Sequence, residues 1–219
     1  MRNLLLFICL SVSVLTIAQT NASPERRSVG YLKYDIGSVF GDQITPSVGV
    51  QIGVECKLKE NMSIEQDLMY IFHCANSIPS FATIEVEEVF GIKSITELRF
   101  YRNNNDKIED LLGLYFCPNL ICQYTKAMRK NENTDSPNYY VHRYVLALHA
   151  KIGYQTKIFR NCVLDFATGF GARYISSQST SKIVPIYNTE YEYPYSKPYD
   201  RGASFFPSLT FSIRVACKI

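Results

Sequence analysis

The sequence predicts an all-β fold, an eight-stranded antiparallel up-and-down transmembrane β-barrel. Three observations carry that prediction. Eight segments alternate apolar with polar residues, the signature of a strand with one greasy and one polar face. A leader resembling a secretion signal precedes them. The connections between segments alternate between short and long, as in barrels with short periplasmic turns and longer external loops.

The leader opens with Met1-Arg2-Asn3, continues through an apolar run from Leu4, and reaches small residues at Thr16-Ile17-Ala18. Cleavage is expected after residue 18, or after residue 22 at the end of Thr20-Asn21-Ala22. The apolar run falls short of the ~20 residues a spanning helix requires. Cys9 lies too early in it to be a lipid-attachment cysteine. Residues 1–22 therefore read as a signal peptide and residues 23–219 as one barrel domain.

The first strand is expected over residues 29–40, with Leu32, Tyr34 and Ile36 opposite Lys33 and Asp35. The second, over 47–59, sets Val48, Val50, Ile52 and Val54 against Gly49, Gln51, Gly53 and Glu55. A polar turn leads to the third, 62–72, with Leu68 and Tyr70 against Glu65 and Asp67. The fourth spans about 94–102 and opposes Leu98 and Phe100 to Glu97 and Arg99. Residues 84–90 could form an extra strand or a short helix and read as part of the preceding loop.

Residues 103–110 read as a polar turn into the fifth strand, 111–126. Pro118 should cause a bulge or a local loss of pairing there. The sixth, 141–157, opposes Leu146, Leu148 and Ile152 to His149 and Lys151. The seventh, 162–176, opposes Phe166, Phe170 and Tyr174 to Asp165 and Arg173. The last, 208–219, is the clearest: Leu209, Phe211, Ile213 and Val215 interleave with Thr210, Ser212 and Arg214. Long connections are expected at 73–93, 127–140 and 177–204, and short ones after the second, fourth and sixth strands.

An eight-stranded barrel has an interior wide enough only for side chains. The polar phase should fill it as a paired network of Lys33, Asp35, Glu55, Glu65, Asp67, Glu97, Arg99, Lys151, Asp165, Arg173 and Arg214. The competing reading of these charges is a proton or ion path. Net charge is +3 with both signs dispersed, and no basic block points to nucleic acid.

Seven cysteines become six once Cys9 leaves with the leader. Most occupy apolar phases, where a thiol acts as a small hydrophobe. Free thiols are expected, and Cys162 and Cys217 are the pair expected to meet, on neighbouring strands near one rim. No metal or cofactor motif occurs. His73, His142 and His149 begin no His-X-Ser arrangement, so no catalytic residue is assigned. The segment 187–199 carries Tyr187, Tyr191, Tyr193, Tyr195 and Tyr199 among polar residues and prolines. It reads either as rings packed on the rim or as a contact surface, since tyrosine supplies large contact area with few rotatable bonds.

Three segments carry a resemblance: Glu97-Leu98-Arg99-Phe100-Tyr101 with Gly113-Leu114-Tyr115-Phe116; Lys151-Ile152-Gly153-Tyr154-Gln155 with Leu164-Asp165-Phe166-Ala167-Thr168-Gly169-Phe170-Gly171; and Pro207-Ser208-Leu209-Thr210-Phe211-Ser212-Ile213. On these the chain resembles the small eight-stranded outer-membrane β-barrel proteins of Gram-negative bacteria, above all the largely uncharacterised short barrels of the Bacteroidetes. It departs from them in closing on Ile219 rather than Phe and in having no Trp, although sixteen Tyr can supply the aromatic girdle.

The resemblance implies an outer-membrane location. It also implies partners in outer-membrane lipid and lipopolysaccharide, in the barrel-assembly machinery and in a larger outer-membrane complex. The expected role is non-catalytic, structural or surface-interacting. Two alternatives stay open: a soluble exported lipocalin-like carrier of a lipophilic ligand, and an outer-membrane lipid-modifying enzyme.

Overall fold

The protein is described by a computed structural model over residues 30–40, 48–73, 86–102, 111–129, 139–179 and 202–219. Eight strands close into an antiparallel up-and-down barrel in which each pairs with its sequence neighbours and β1 pairs with β8. They are β1 (Gly30–Asp35), β2 (Val48–Lys59), β3 (Met62–His73), β4 (Val86–Tyr101), β5 (Gly113–Arg129), β6 (Tyr139–Phe159), β7 (Cys162–Ser179) and β8 (Gly202–Lys218). Closure leaves the paired strands without the unbonded edge that an open sheet presents. The Lys59–Met62 and Phe159–Cys162 connections are tight and define a turn end; the opposite rim is the loop end.

The strand expected over 29–40 stops at Asp35. A short helix, α1 (Gly37–Phe40), replaces its second half. The Ser38 hydroxyl donates to the carbonyls of Asp35 at 2.7 Å and Gly49 at 3.2 Å, which fastens this turn to β2. A serine that bonds nearby backbone offers the chain an alternative to the ladder.

Residues 86–90 belong to β4 and not to the loop. A bulge between Glu87 and Phe90, with Glu88 at φ 48°, breaks the alternation there and hides the strand from a period-two reading. β8 also starts earlier than expected, at Gly202. Pro207 pairs with Ala172 of β7 inside a continuous ladder. The β1 ladder covers only Arg214–Lys218 of β8, so Pro207 faces no β1 partner that would need its missing N–H.

Pro118 likewise leaves register intact. The β4–β5 ladder skips from Glu97–Asn119 to Phe100–Phe116 without a shift, a local loss of pairing and not a bulge. One expectation about the connections is corrected: β4 and β5 are joined by residues 102–112, far more than a tight turn. The contrast between short and long connections is therefore weaker than the sequence suggested.

The two strand phases separate cleanly. Ile52, Leu146 and Phe211 are 52%, 50% and 68% exposed, while Glu55 and Arg214 are 0% and 1% exposed. The apolar phase lies outside and the charged phase lines the axis. At the turn end the lumen is stoppered by a buried cluster that includes Tyr31, Tyr101, Leu111, Tyr115 and Val163. Tyr115 lies so close to Gly153 that a Cβ there would sit 2.2 Å from its ring.

Candidate functional site

Strand register creates an electrostatic problem that the lumen solves. Glu55, Glu65 and Glu97 are direct cross-strand neighbours on β2, β3 and β4. Like charges directly opposite each other are destabilising. Four cations converge on them.

Lys33 of β1 lies 2.6 Å from Glu55, 2.9 Å from Glu65 and 2.9 Å from Asp165. Arg99 of β4 sits 2.7 Å from Glu65, 2.7 Å from Glu97 and 2.8 Å from Asp165. Arg214 reaches from β8 to Glu65 at 2.6 Å, Glu97 at 3.0 Å and Asp67 at 3.3 Å. Its Nε lies 3.5 Å from Asp35. Lys151 closes on Glu97 at 2.5 Å.

Neutral donors complete the shell. Tyr101 donates to Glu55 and Tyr115 to Asp165, both at 2.6 Å, and Ser63 also donates to Glu55. The Arg99 guanidinium stacks over the Tyr115 ring at 4.4 Å. Buried charges persist when they are paired and bonded in this way.

Ten of the sequence-predicted lumen residues thus meet in one network in the turn half. Arg173 lies apart from that network. It lies buried in the loop half, with its guanidinium 6.0 Å from the Phe206 ring. Sequence reasoning left Lys93 and Arg143 unassigned, and both are buried in that same half with Gln123, Thr125 and Ser177. Period-two phase could have found Arg143, which shares its face with His149 and Lys151. The bulge at Glu87–Phe90 obscured the phase of Lys93. An apolar belt of Ile95, Ile121 and Ala147, registered across β4, β5 and β6, separates the two halves.

One row crosses the lumen wall at the boundary of the halves. Asn119, His149, Gly171 and Ser208 are consecutive cross-strand partners on β5 to β8. Gly171 has no side chain, so His149 reaches past it to Ser208. Its Nε2 lies 2.8 Å from the Ser208 hydroxyl and its Nδ1 lies 3.2 Å from Asn119 Oδ1. Asn119 gives its amide N–H to Glu97 at 3.1 Å, which turns its oxygen toward His149. The imidazole therefore donates from Nδ1 to Asn119, and Nε2 shares a hydrogen bond with the Ser208 hydroxyl. Neither Asn119 nor Ser208 was singled out from sequence, because a polar residue on an inward phase gives no sign of its cross-strand neighbours. A cavity of about 20 Å³ adjoins His149 and Ser208, room for one water.

His142 stacks near Tyr124 and shares a 2.8 Å hydrogen bond with its hydroxyl; His73 ends β3. The Cys162 and Cys217 thiols lie 3.3 Å apart on registered residues, and the five described cysteines are free. The tyrosines at 187, 191, 193, 195 and 199, like the leader, fall outside the described residues. No group of three metal-ligating side chains occurs among the described residues. Compared with known proteins, the chain matches no family model, no curated protein and no solved structure.

Proposed function

We infer that this chain is a non-conducting barrel of a Gram-negative outer membrane, with a structural or surface-interaction role that includes service as an accessory subunit of a membrane complex. One observation carries the reading: apolar side chains cover the outer wall while paired ions occupy the axis. A membrane solvates the first arrangement and cannot solvate its inverse. β2, with 12 residues, exceeds the ~9–11 a tilted strand needs to cross the hydrocarbon. β1 alone is shorter, at 6 residues, and Ile36 extends it by donating its N–H to Ile213 at 2.9 Å. A lipocalin-like carrier would need an apolar interior, and ionised groups fill the axis here.

Cysteines placed singly at Val50, 42% exposed, and Gln51, 3% exposed, test the reading. A fluorophore at position 50 should be quenched by lipid-borne quenchers and one at 51 should not. Recovery of the protein from the soluble fraction without detergent, with no quenching at either site, would sink it. The protein should also show heat-modifiable gel migration and no stepwise current in planar bilayers.

A second reading, a lipid-acyl hydrolase, is favoured by the Ser208–His149–Asn119 row, which places a hydroxyl, a base and an orienting group in sequence. It ranks second because the adjoining space admits a water and not an ester. A fluorophosphonate adduct on Ser208 in lipid vesicles, lost in His149→Ala, would reverse that order.

A further inference from the structure

Among the described residues, cations outnumber acids at the turn-end rim. Lys59, Arg102, Lys157, Arg160 and Lys218 are exposed there. Glu60 is the one exposed acidic side chain at that rim among the described residues. Two of these cations flank a built recess. The final β5–β6 pair is Gly113–Gln155, so β6 runs on through Thr156 and Lys157 past the start of β5. The overhang leaves a cavity of about 330 Å³, lined by Arg102, Leu112, Leu114, Tyr154, Thr156 and Lys157 among others.

Its chemistry is divided. Arg102, Lys157 and the Thr156 hydroxyl offer charge and hydrogen bonds, and guanidinium geometry suits phosphate oxygens. Leu114 and Tyr154 belong to the exposed apolar wall, at 43% and 52% exposure, and continue down the barrel into Phe116 and Ile152. A ligand with a phosphate at one end and an alkyl chain at the other matches both parts. Arg102 donates its backbone N–H to the Leu114 carbonyl at 2.8 Å, which fixes the cationic residue beside the apolar one.

We propose that this recess is a binding site for one anionic glycerophospholipid of the leaflet at the turn end, with its phosphate between Arg102 and Lys157 and its acyl chain along Leu114 and Tyr154. The site rests on the membrane-spanning reading and adds a ligand class to it. Interfacial cations attract anionic lipid one by one; the recess adds a seat for a single headgroup.

The full chain, reconstituted in phosphatidylcholine vesicles doped with phosphatidylglycerol and released into mild detergent, is examined by native mass spectrometry. Wild type should retain one phosphatidylglycerol in preference to phosphatidylcholine. Arg102→Gln with Lys157→Gln should weaken retention about 30-fold, whereas Lys59→Gln with Lys218→Gln, on the opposite side of the rim, should weaken it less than about threefold. Leu112→Glu, which adds a carboxylate and removes no cation, should mimic the first pair.

Equal losses in the two pairs would mean a diffuse surface field and would overturn the site, as would wild-type retention in Leu112→Glu. Displacement of the lipid by inorganic phosphate alone would assign the recess to a soluble anion instead. Heat-modifiable migration is recorded for every variant. A barrel that inserts and holds no lipid refutes the site alone; a chain that does not insert refutes the membrane reading.

Discussion

The two halves of the lumen hold charge in different ways. In the turn half, carboxylates and cations interlock, and Lys33, Arg99 and Arg214 each touch more than one acid. In the loop half, Lys93, Arg143 and Arg173 are buried among amides and hydroxyls, and no described carboxylate is buried with them. In the turn half the strands themselves supply both the four cations and the six carboxylates of the network, which makes it a fixed plug. The acids of β4 at the loop end, Glu87 and Glu88, lie at its bulge. Sealing therefore belongs to the turn half, where the ion network and the buried cluster around Tyr115 close the lumen.

The largest expected difference follows directly. Arg99→Met removes one partner from Glu65, Glu97 and Asp165 and leaves buried carboxylates short of countercharge. It should cost about 3–5 kcal/mol, read as the urea midpoint of heat-modifiable migration. Arg173→Met leaves the ion pairs of Glu65, Glu97 and Asp165 intact and should cost less. Equal costs at the two sites would dissolve the distinction between the halves.

A steric change in the turn half should rank next. Gly153→Val drives a side chain into the Tyr115 ring, which is held by Asp165 and Arg99. Overpacking of this kind costs about 1–3 kcal/mol, and Tyr115→Ala in the same chain should recover part of the loss. A Gly153→Val barrel as stable as wild type would show that the plug yields.

At the boundary, His149→Ala leaves Asn119 and Ser208 without their shared partner. The expected loss is about 1–2 kcal/mol, smaller than at Arg99 because no buried ion is orphaned. Asn119 keeps its bond to Glu97.

The smallest effect should come from the rim. Copper-phenanthroline should join Cys162 to Cys217, the two thiols giving up two protons and two electrons to the oxidant. Protection of both from maleimide reports the bond. Cys217→Ser should abolish the protection and shift stability by about 0.5 kcal/mol or less. Persistent maleimide reactivity of wild type after oxidation would show that the pair does not meet in solution.

Much of the barrel was legible because its strands obey one rule over long stretches. In β6, Tyr144, Leu146, Leu148 and Ile152 alternate without interruption, and the observed strand runs past the expected one at both ends. Legibility failed where a local backbone event reset the phase. The bulge at Glu87–Phe90 concealed the start of β4, and the Ser38 hydroxyl helped divert β1 into α1.

The alternating pattern alone determined eight strands and which residues share a face. It could not choose the inner face, because turning every strand inside out leaves the alternation unchanged. Closure made that choice: only when the strands join does Arg214 come within reach of Glu65, and only then do three registered glutamates find cations across the axis. The Asn119–His149–Ser208 row and the recess beside Arg102 arise the same way, from pairings between residues far apart in the chain. Such contacts depend on register and strand length, which are properties of the assembled barrel and not of any one strand.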